Sequence, residues 1–274
     1  LMHLFNIRRP SCEATATGHL IEQIEMVKRI LASGNAYEAN GSVYFDVEKY
    51  STTNAYGELS GRKTEDLIAN TRETEGQDEK RSPLDFAIWK KADATHLMKW
   101  PSPWSEGFPG WHLECSAMST KYLGLTFDIH GGGMDLKFPH HECEIAQSIA
   151  ADGQVPVRYW MHTNMLTVNG RKMAKSEGNG FTPEELVTGN HKLLDQGYSP
   201  MTVRFFINAA LQAAEKGLAR LMSAMTTLSK LKAVNGAGDD EVDALETSCH
   251  AAMHDDLNTP VLIATLFEGV RLIN

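Results

Sequence analysis

Cys115, His140 and Glu144 are the residues of this chain whose types and spacing bear most directly on chemistry. His140 and Glu144 stand four apart, so on a helix they project from one face. Cys115 falls just inside another helical stretch and can add a sulfur. Thiolate, imidazole and carboxylate together suit zinc better than magnesium or calcium. The plainer alternative is that Cys115 packs in a core while His140 and Glu144 form a helix-surface pair. Cys143 is a further geometrically possible ligand, three residues after His140, whereas His141 is expected to face elsewhere. A set of three either leaves an open position, as catalytic and substrate-binding sites do, or requires a fourth ligand from another segment.

Two other stretches have the makings of a nucleotide site. His130-Gly131-Gly132-Gly133 closes an expected strand at the end where open α/β sheets bind ligands. Glycines there let backbone approach closely, and Asp135 is placed to take a ribose hydroxyl. Lys172, Lys175 and Ser176 lie on a basic loop flanked by glycine, and such a loop can hold a polyphosphate. Taken singly, a glycine run is only a turn and a basic loop is only solvated surface.

The surrounding pattern supplies elements to position these groups. His19 to Gly34 reads as an amphipathic helix with Leu20, Ile21, Ile24, Val27, Ile30 and Leu31 on one face. Alternating residues around Asn40-Gly41 form the strongest short hairpin signal. Residues 51–82 are polar and irregular, a surface excursion. Leu84 to Trp89 reads as a buried strand, and residues 100–111 as a rigid loop rich in proline, glycine and tryptophan. A helix from His112 to Leu123, a strand from Thr126 to His130 and a helix from Pro139 to Ala151 follow. Strands from Arg158 to His162 and Met165 to Val168 come next, the second turning at Asn169-Gly170. Thr182 to Glu185 is a capping box, Ser199-Pro200 starts another helix, and the pattern is helical from Leu211 onward. Strands and helices alternating before residue 181 imply an α/β fold of parallel type, followed by an all-helical region.

Composition sets bounds. The chain has 274 residues, a formal charge of −9 and only four cysteines, Cys12, Cys115, Cys143 and Cys249, without framework spacing. That suits thiols that are free or metal-bound in a reducing compartment. The acidic balance argues against nonspecific coating of nucleic acid but not against an RNA held by a local basic patch. No apolar run approaches a membrane span, and no signal peptide is visible. The opening residues, LMHLFNIRRPSCEA, read as the middle of a protein.

GWHLECSAM, FDIHGGGMDLKFPHHECEIAQS, RKMAKSEGN and HDDLNTP stand in this order, with DFAIWK and WPSPW before them. Together they resemble the cysteinyl-tRNA synthetases, class I aminoacyl-tRNA synthetases, over nearly the whole chain. The resemblance implies a Rossmann-type catalytic domain with a zinc site and an inserted connective segment (1–180), a helical stem-contact region (181–210) and the start of a helical tRNA-binding bundle (211–274). It implies a cytoplasmic, monomeric ligase that uses ATP with magnesium to activate L-cysteine and passes it to tRNA(Cys). Cys115, His140 and Glu144 would hold zinc, with a fourth cysteine expected ahead of Leu1. Cys115 with Trp111 and His130 would line the substrate site, Trp111 as part of an aromatic wall. His130, Gly131, Gly132, Gly133 and Asp135 would contact the adenylate. Lys175, assisted by Lys172 and followed by Ser176, would stabilise the ATP phosphates. Ala174 replaces the family's usual serine, and Cys143 stands where asparagine is frequent. The junction Ala210–Leu211 is abrupt against the family's usual spacing. A ligase that passes cysteine to an amino sugar in the mycothiol pathway and a non-catalytic zinc- and RNA-binding paralogue are the alternatives.

Overall fold

The computed structural model describes residues 2–62, 77–168, 170–206, 211–232 and 239–273. They divide into two compact units, Ser11–Met173 and Leu1–Pro10 with Ala174–Asn274.

The first unit opens with α1 (Leu20–Ala32). Its buried residues are Gln23, Met26, Val27 and Ile30, a row spaced by three and four. Ile21 is 75% exposed. The buried stripe is therefore rotated from the expected one, because Gln23 turns inward to donate its Nε2 hydrogen to the Ala16 carbonyl at 2.8 Å. Strands β1 (Ala36–Ala39) and β2 (Ser42–Phe45) form the expected hairpin. Asn40 and Gly41 have φ of 51° and 82°, the two positive values a type I′ turn requires. After α2 (Val47–Ser51), β3 (Phe86–Lys91) and β4 (Gly107–Pro109) complete a four-stranded sheet in the order β1-β2-β3-β4, antiparallel throughout.

The parallel pairing belongs to the next segment. Helix α3 (Trp111–Leu123) leads to β5 (Phe127–Gly133), α4 (Glu142–Asp152) and β6 (Val157–Thr163), and β5 pairs with β6 in parallel. This strand-helix-strand unit bears out the α/β class. The sheet formed by the first strands differs from the parallel pattern expected before residue 181, since a two-residue turn can join only antiparallel neighbours. The short ribbon β7 (Thr167–Val168) and β8 (Arg171–Lys172) follows, with Gly170 at φ 76° in its turn. One core joins α1, β2, β3, α3 and α4 through Met26, Ile30, Phe45, Ile88, Trp89, Leu113 and Ala146. Each large apolar side chain fully buried there contributes about 1.5–3 kcal/mol.

The second unit is helical. Helix α5 (Pro183–Thr188) starts on the expected capping box: Thr182 Oγ accepts from the Glu185 amide, and the Glu185 carboxylate accepts from the Thr182 amide at 2.7 Å. Helix α6 (Pro200–Phe206) begins after Ser199, whose hydroxyl accepts from the Thr202 amide at 3.0 Å. Arg204 donates to the Phe5 and Asn6 carbonyls at 3.0 and 2.8 Å, fixing the opening residues against this helix. Helices α7 (Leu211–Leu228), α8 (Asp239–His254) and α9 (Thr259–Ile273) follow. Asn258 caps α9 by accepting from the Val261 amide at 3.3 Å, so the HDDLNTP stretch is the α8–α9 corner. Ala210, on one side of the abrupt junction, lies outside the described residues. Among the described residues, no helix is long and apolar enough to cross a membrane.

Candidate functional site

Helix α3 is anchored by fully buried Leu113 and pinned to α4 by the Ser116 hydroxyl, which donates to Gln147 Oε1 at 2.8 Å. These contacts turn Cys115 toward the start of α4. Regular α4 begins at Glu142, three residues later than expected, because Phe138 is extended at φ −140° and ψ 134°. A residue before proline is pushed into that region by the proline ring. His140, in the turn that precedes α4, still lies one turn below Glu144. Its Nε2 is 2.9 Å from Glu144 Oε1, with both side chains buried.

Cys115, His140 and Glu144 offer ligand atoms that all lie within 4.8 Å of one another. Glu144 Oε1 is buried and has no hydrogen-bond partner, although His140 Nε2 is so close. Close approach without hydrogen-bond alignment is how two ligands of one ion face each other, so the donors present fit zinc in type and placement. Burial, with the Glu144 and Glu114 carboxylates adding to it, pushes the Cys115 thiol up to about 12. A cation would have to displace that proton, coupling its binding to proton release. Cys143 is not among these donors. It is 1% exposed and packs in the core with Sγ 3.4 Å from the Tyr56 hydroxyl.

Around the three donors runs a cluster of rings that the sequence did not disclose. His140 Nδ1 is 2.7 Å from His112 Nδ1, and burial, then His140, holds His112 down at about 3. His112 is therefore neutral, and one proton is shared between the two facing Nδ1 atoms; once His140 Nε2 is given to a metal, that proton is His140's and His112 accepts it. Trp111, 59% exposed, lies with its ring 4.3 Å from that of His140 and forms one wall. On the other side, His130 Nδ1 is 3.5 Å from Glu144 Oε2. His141 was expected to face elsewhere; it packs against His130 at 4.7 Å and its Nδ1 meets His162 Nε2 at 2.8 Å. Trp160 stacks on His130 at 4.8 Å. His130, His141 and Glu144 form a second group of convergent donors, without sulfur and with His141 already engaged by His162. The available signal was density: of eleven histidines, those at 112, 130, 140, 141 and 162 fall within one short stretch.

The glycines do not form the turn that was expected after the strand. Gly131, Gly132 and Gly133 continue β5, paired with Met161, His162 and Thr163. A Cβ on Gly132 would lie 2.6 Å from His141 Cε1, so this position is empty to admit a histidine. The turn comes next, where the Leu136 amide donates to the Gly133 carbonyl at 2.9 Å. Asp135 sits in that turn, exposed. The structure thus brings Trp111, Cys115, His130, His140 and Glu144 together. Lys172 lies on β8, in the same unit, while Lys175 and Ser176 fall in the short turn Lys175–Glu177 of the other unit.

Comparison with known proteins places the fold among the aminoacyl-tRNA synthetases. The Mycobacterium tuberculosis methionyl-tRNA synthetase, solved in complex with methionyl-adenylate, superposes with a TM-score of 0.62 at 14% identity. The match covers 98% of this chain and 67% of that one. Residues 1–214 match the class I (C) tRNA synthetase catalytic domain and residues 249–274 match the DALR domain, and the chain belongs to the class I (C) tRNA synthetase family. The cysteine–tRNA ligase of Bacteroides fragilis is 57% identical over 285 residues, covering 100% of this chain and 58% of its own length. The cysteine–tRNA ligase of Chlorobaculum tepidum is 46% identical, covering 100% of this chain and 56% of its own. The chain thus spans a little over half the length of these curated relatives.

Proposed function

We propose that this chain carries the amino-acid-activating centre of a cysteine–tRNA ligase, which joins L-cysteine to AMP from ATP and passes it to tRNA(Cys). The observation that carries the reading is the convergence of half-buried Cys115 with buried His140 and Glu144 beside exposed Trp111. Zinc held by these three side chains, when bound, would supply a position for the substrate's thiolate that a hydroxyl fills poorly, selecting cysteine over serine without editing. The chain's own groups do the rest. With Nε2 on the metal, His140 would donate its Nδ1 hydrogen to His112, and Trp111 would form one wall of the site. His130, Gly131 to Gly133 and Asp135 form the edge at which an adenylate would lie, at the carboxyl end of β5, where open α/β sheets receive ligands. Lys175, with Lys172 and Ser176, would offset phosphate charge as pyrophosphate leaves, a task of positioning and electrostatics. Residues 181–210 and 211–274 would contact the tRNA; the DALR match at 249–274 supports a tRNA acceptor over an amino sugar.

The test is cysteine-dependent exchange of pyrophosphate into ATP by the intact protein. Exchange with cysteine and not with serine is expected. Equal exchange with serine, or none with cysteine, overturns the reading.

A further inference from the structure

Glu142 opens α4, two residues after His140 and two before Glu144. Glu142 is 1% exposed, yet among the described residues no cation pairs with its carboxylate. Instead it is held by three backbone amides from a turn more than eighty residues earlier in the chain. Gly57 donates to Oε1 at 2.9 Å, Leu59 to Oε1 at 3.4 Å and Ser60 to Oε2 at 3.0 Å. The turn is built for this. The Arg62 amide closes it onto the Gly57 carbonyl at 3.1 Å, and Gly57 has φ 99°, a conformation that favours glycine. The same turn grips the residues on either side. The Tyr56 hydroxyl meets Cys143 Sγ at 3.4 Å, the Tyr56 ring contacts Phe138, and the Arg62 guanidinium lies over Phe138 at 4.8 Å. The start of the polar segment 51–82 is therefore clamped to the stretch that carries two of the three metal donors.

We propose that Glu142 is a positioning residue: by locking the first turn of α4 onto residues 57–60, it fixes the rotation of that turn and hence the mutual aim of His140 and Glu144. The inference rests on the zinc reading above. It makes the 57–60 turn and the metal site one mechanical unit, in which a loosening of either is felt by the other. Two carboxylate oxygens meet three amide hydrogens, so only a carboxylate of this length satisfies all of them.

The test is Glu142→Gln in the intact protein, which keeps the side chain's shape but sets an amide –NH₂ against at least one backbone N–H. Zinc affinity is measured by competition with a chelator of known strength, and site geometry by the visible absorption of the Co²⁺-loaded protein. A fall in zinc affinity of about 10–100-fold, with an altered Co²⁺ spectrum, is expected. Ile88→Val, a core change away from the turn, is the comparison for a merely structural loss and should leave affinity within about twofold. A second measurement needs no variant. Removing zinc from the wild-type protein should speed amide exchange at Gly57, Leu59 and Ser60 and leave the β1–β2 hairpin unchanged. An E142Q protein that binds zinc like the wild type, or amides at 57–60 indifferent to zinc, overturns this inference alone. A wild-type protein that takes up no zinc overturns the metal reading with it.

Discussion

His112→Phe separates the zinc-loaded state from the zinc-free one. Phenylalanine keeps a ring of similar size, so the edge-on contact with Phe86 at 5.7 Å and the stack on Trp111 at 5.9 Å are conserved. What it removes is the acceptor 2.7 Å from His140 Nδ1. In the zinc-free protein His140 can place its proton on Nε2, toward the Glu144 carboxylate at 2.9 Å, and leave Nδ1 without a hydrogen to satisfy. Once Nε2 is given to a metal that escape is closed, and Nδ1–H is buried without a partner. An orphaned buried donor costs about 1–3 kcal/mol. At about 1.4 kcal/mol per tenfold that is roughly 5- to 150-fold in affinity, matching the loss of about 10–100-fold typical when a ligand's supporting partner is removed. The larger part of the penalty falls on the loaded state, because the zinc-free variant leaves only an Nδ1 lone pair unpaired, so its urea stability should fall by less than its zinc affinity does. Zinc affinity is read by chelator competition at neutral pH and stability by urea denaturation with zinc removed. His112→Gln, which offers a carbonyl oxygen, should recover part of the loss. Unchanged affinity in H112F, or a stability loss with unchanged affinity, would refute the tautomer argument.

Asp85 is 2% exposed and accepts from Tyr37 Oη at 2.7 Å, the Val47 amide at 3.0 Å and the Ser82 amide at 3.1 Å. Asp85→Asn turns one acceptor into a donor and should cost about 1–3 kcal/mol in urea denaturation. Burial raises the Asp85 carboxyl above the usual aspartate range, against those hydrogen bonds, which lower it. With the folded value above the unfolded one, its contribution is complete below the ordinary aspartate range and is lost as pH rises through the raised value. Denaturation across that range should show wild-type stability falling relative to D85N, and parallel profiles would contradict this. Leu113→Ala, at a fully buried position two residues before Cys115, should cost about 2–5 kcal/mol, readable by thermal or urea unfolding. Lys175→Ala should slow adenylate formation in single-turnover assays far more than it weakens cysteine binding; equal losses would give the loop another role.

Much of the site was legible because its chemistry is local. His140 and Glu144 lie one helical turn apart, and Cys115 is held against them by ordinary α3–α4 packing through Leu113 and Ser116. The hairpin at Asn40-Gly41 and the capping box at Thr182 were equally readable, since each is a contract among three or four neighbouring residues. What sequence could not show was decided by distant partners. His112, His141 and His162 look like a helix residue, an idle neighbour and a strand residue until β5, β6 and α3 bring their rings together. Cys143 has ligand spacing, but the helix turns it into the core toward Tyr56. The glycines of β5 read as a turn because a missing side chain looks the same whether a ligand, a bend or a histidine from the next element occupies its place. The buried face of α1 moved because Gln23 found a carbonyl to bond, an event that hydrophobic pattern does not encode.

Whether Cys115, His140 and Glu144 hold zinc is read from the zinc content of the intact protein beside that of Cys115→Ser, measured by elemental analysis after both are shown to have the same circular dichroism. The wild type is expected to carry about one zinc per chain, and the variant, whose hydroxyl is a poor zinc ligand, markedly less, with cysteine-dependent pyrophosphate exchange lost in parallel. A wild type free of zinc, or a C115S protein that retains it in full, would contradict the account.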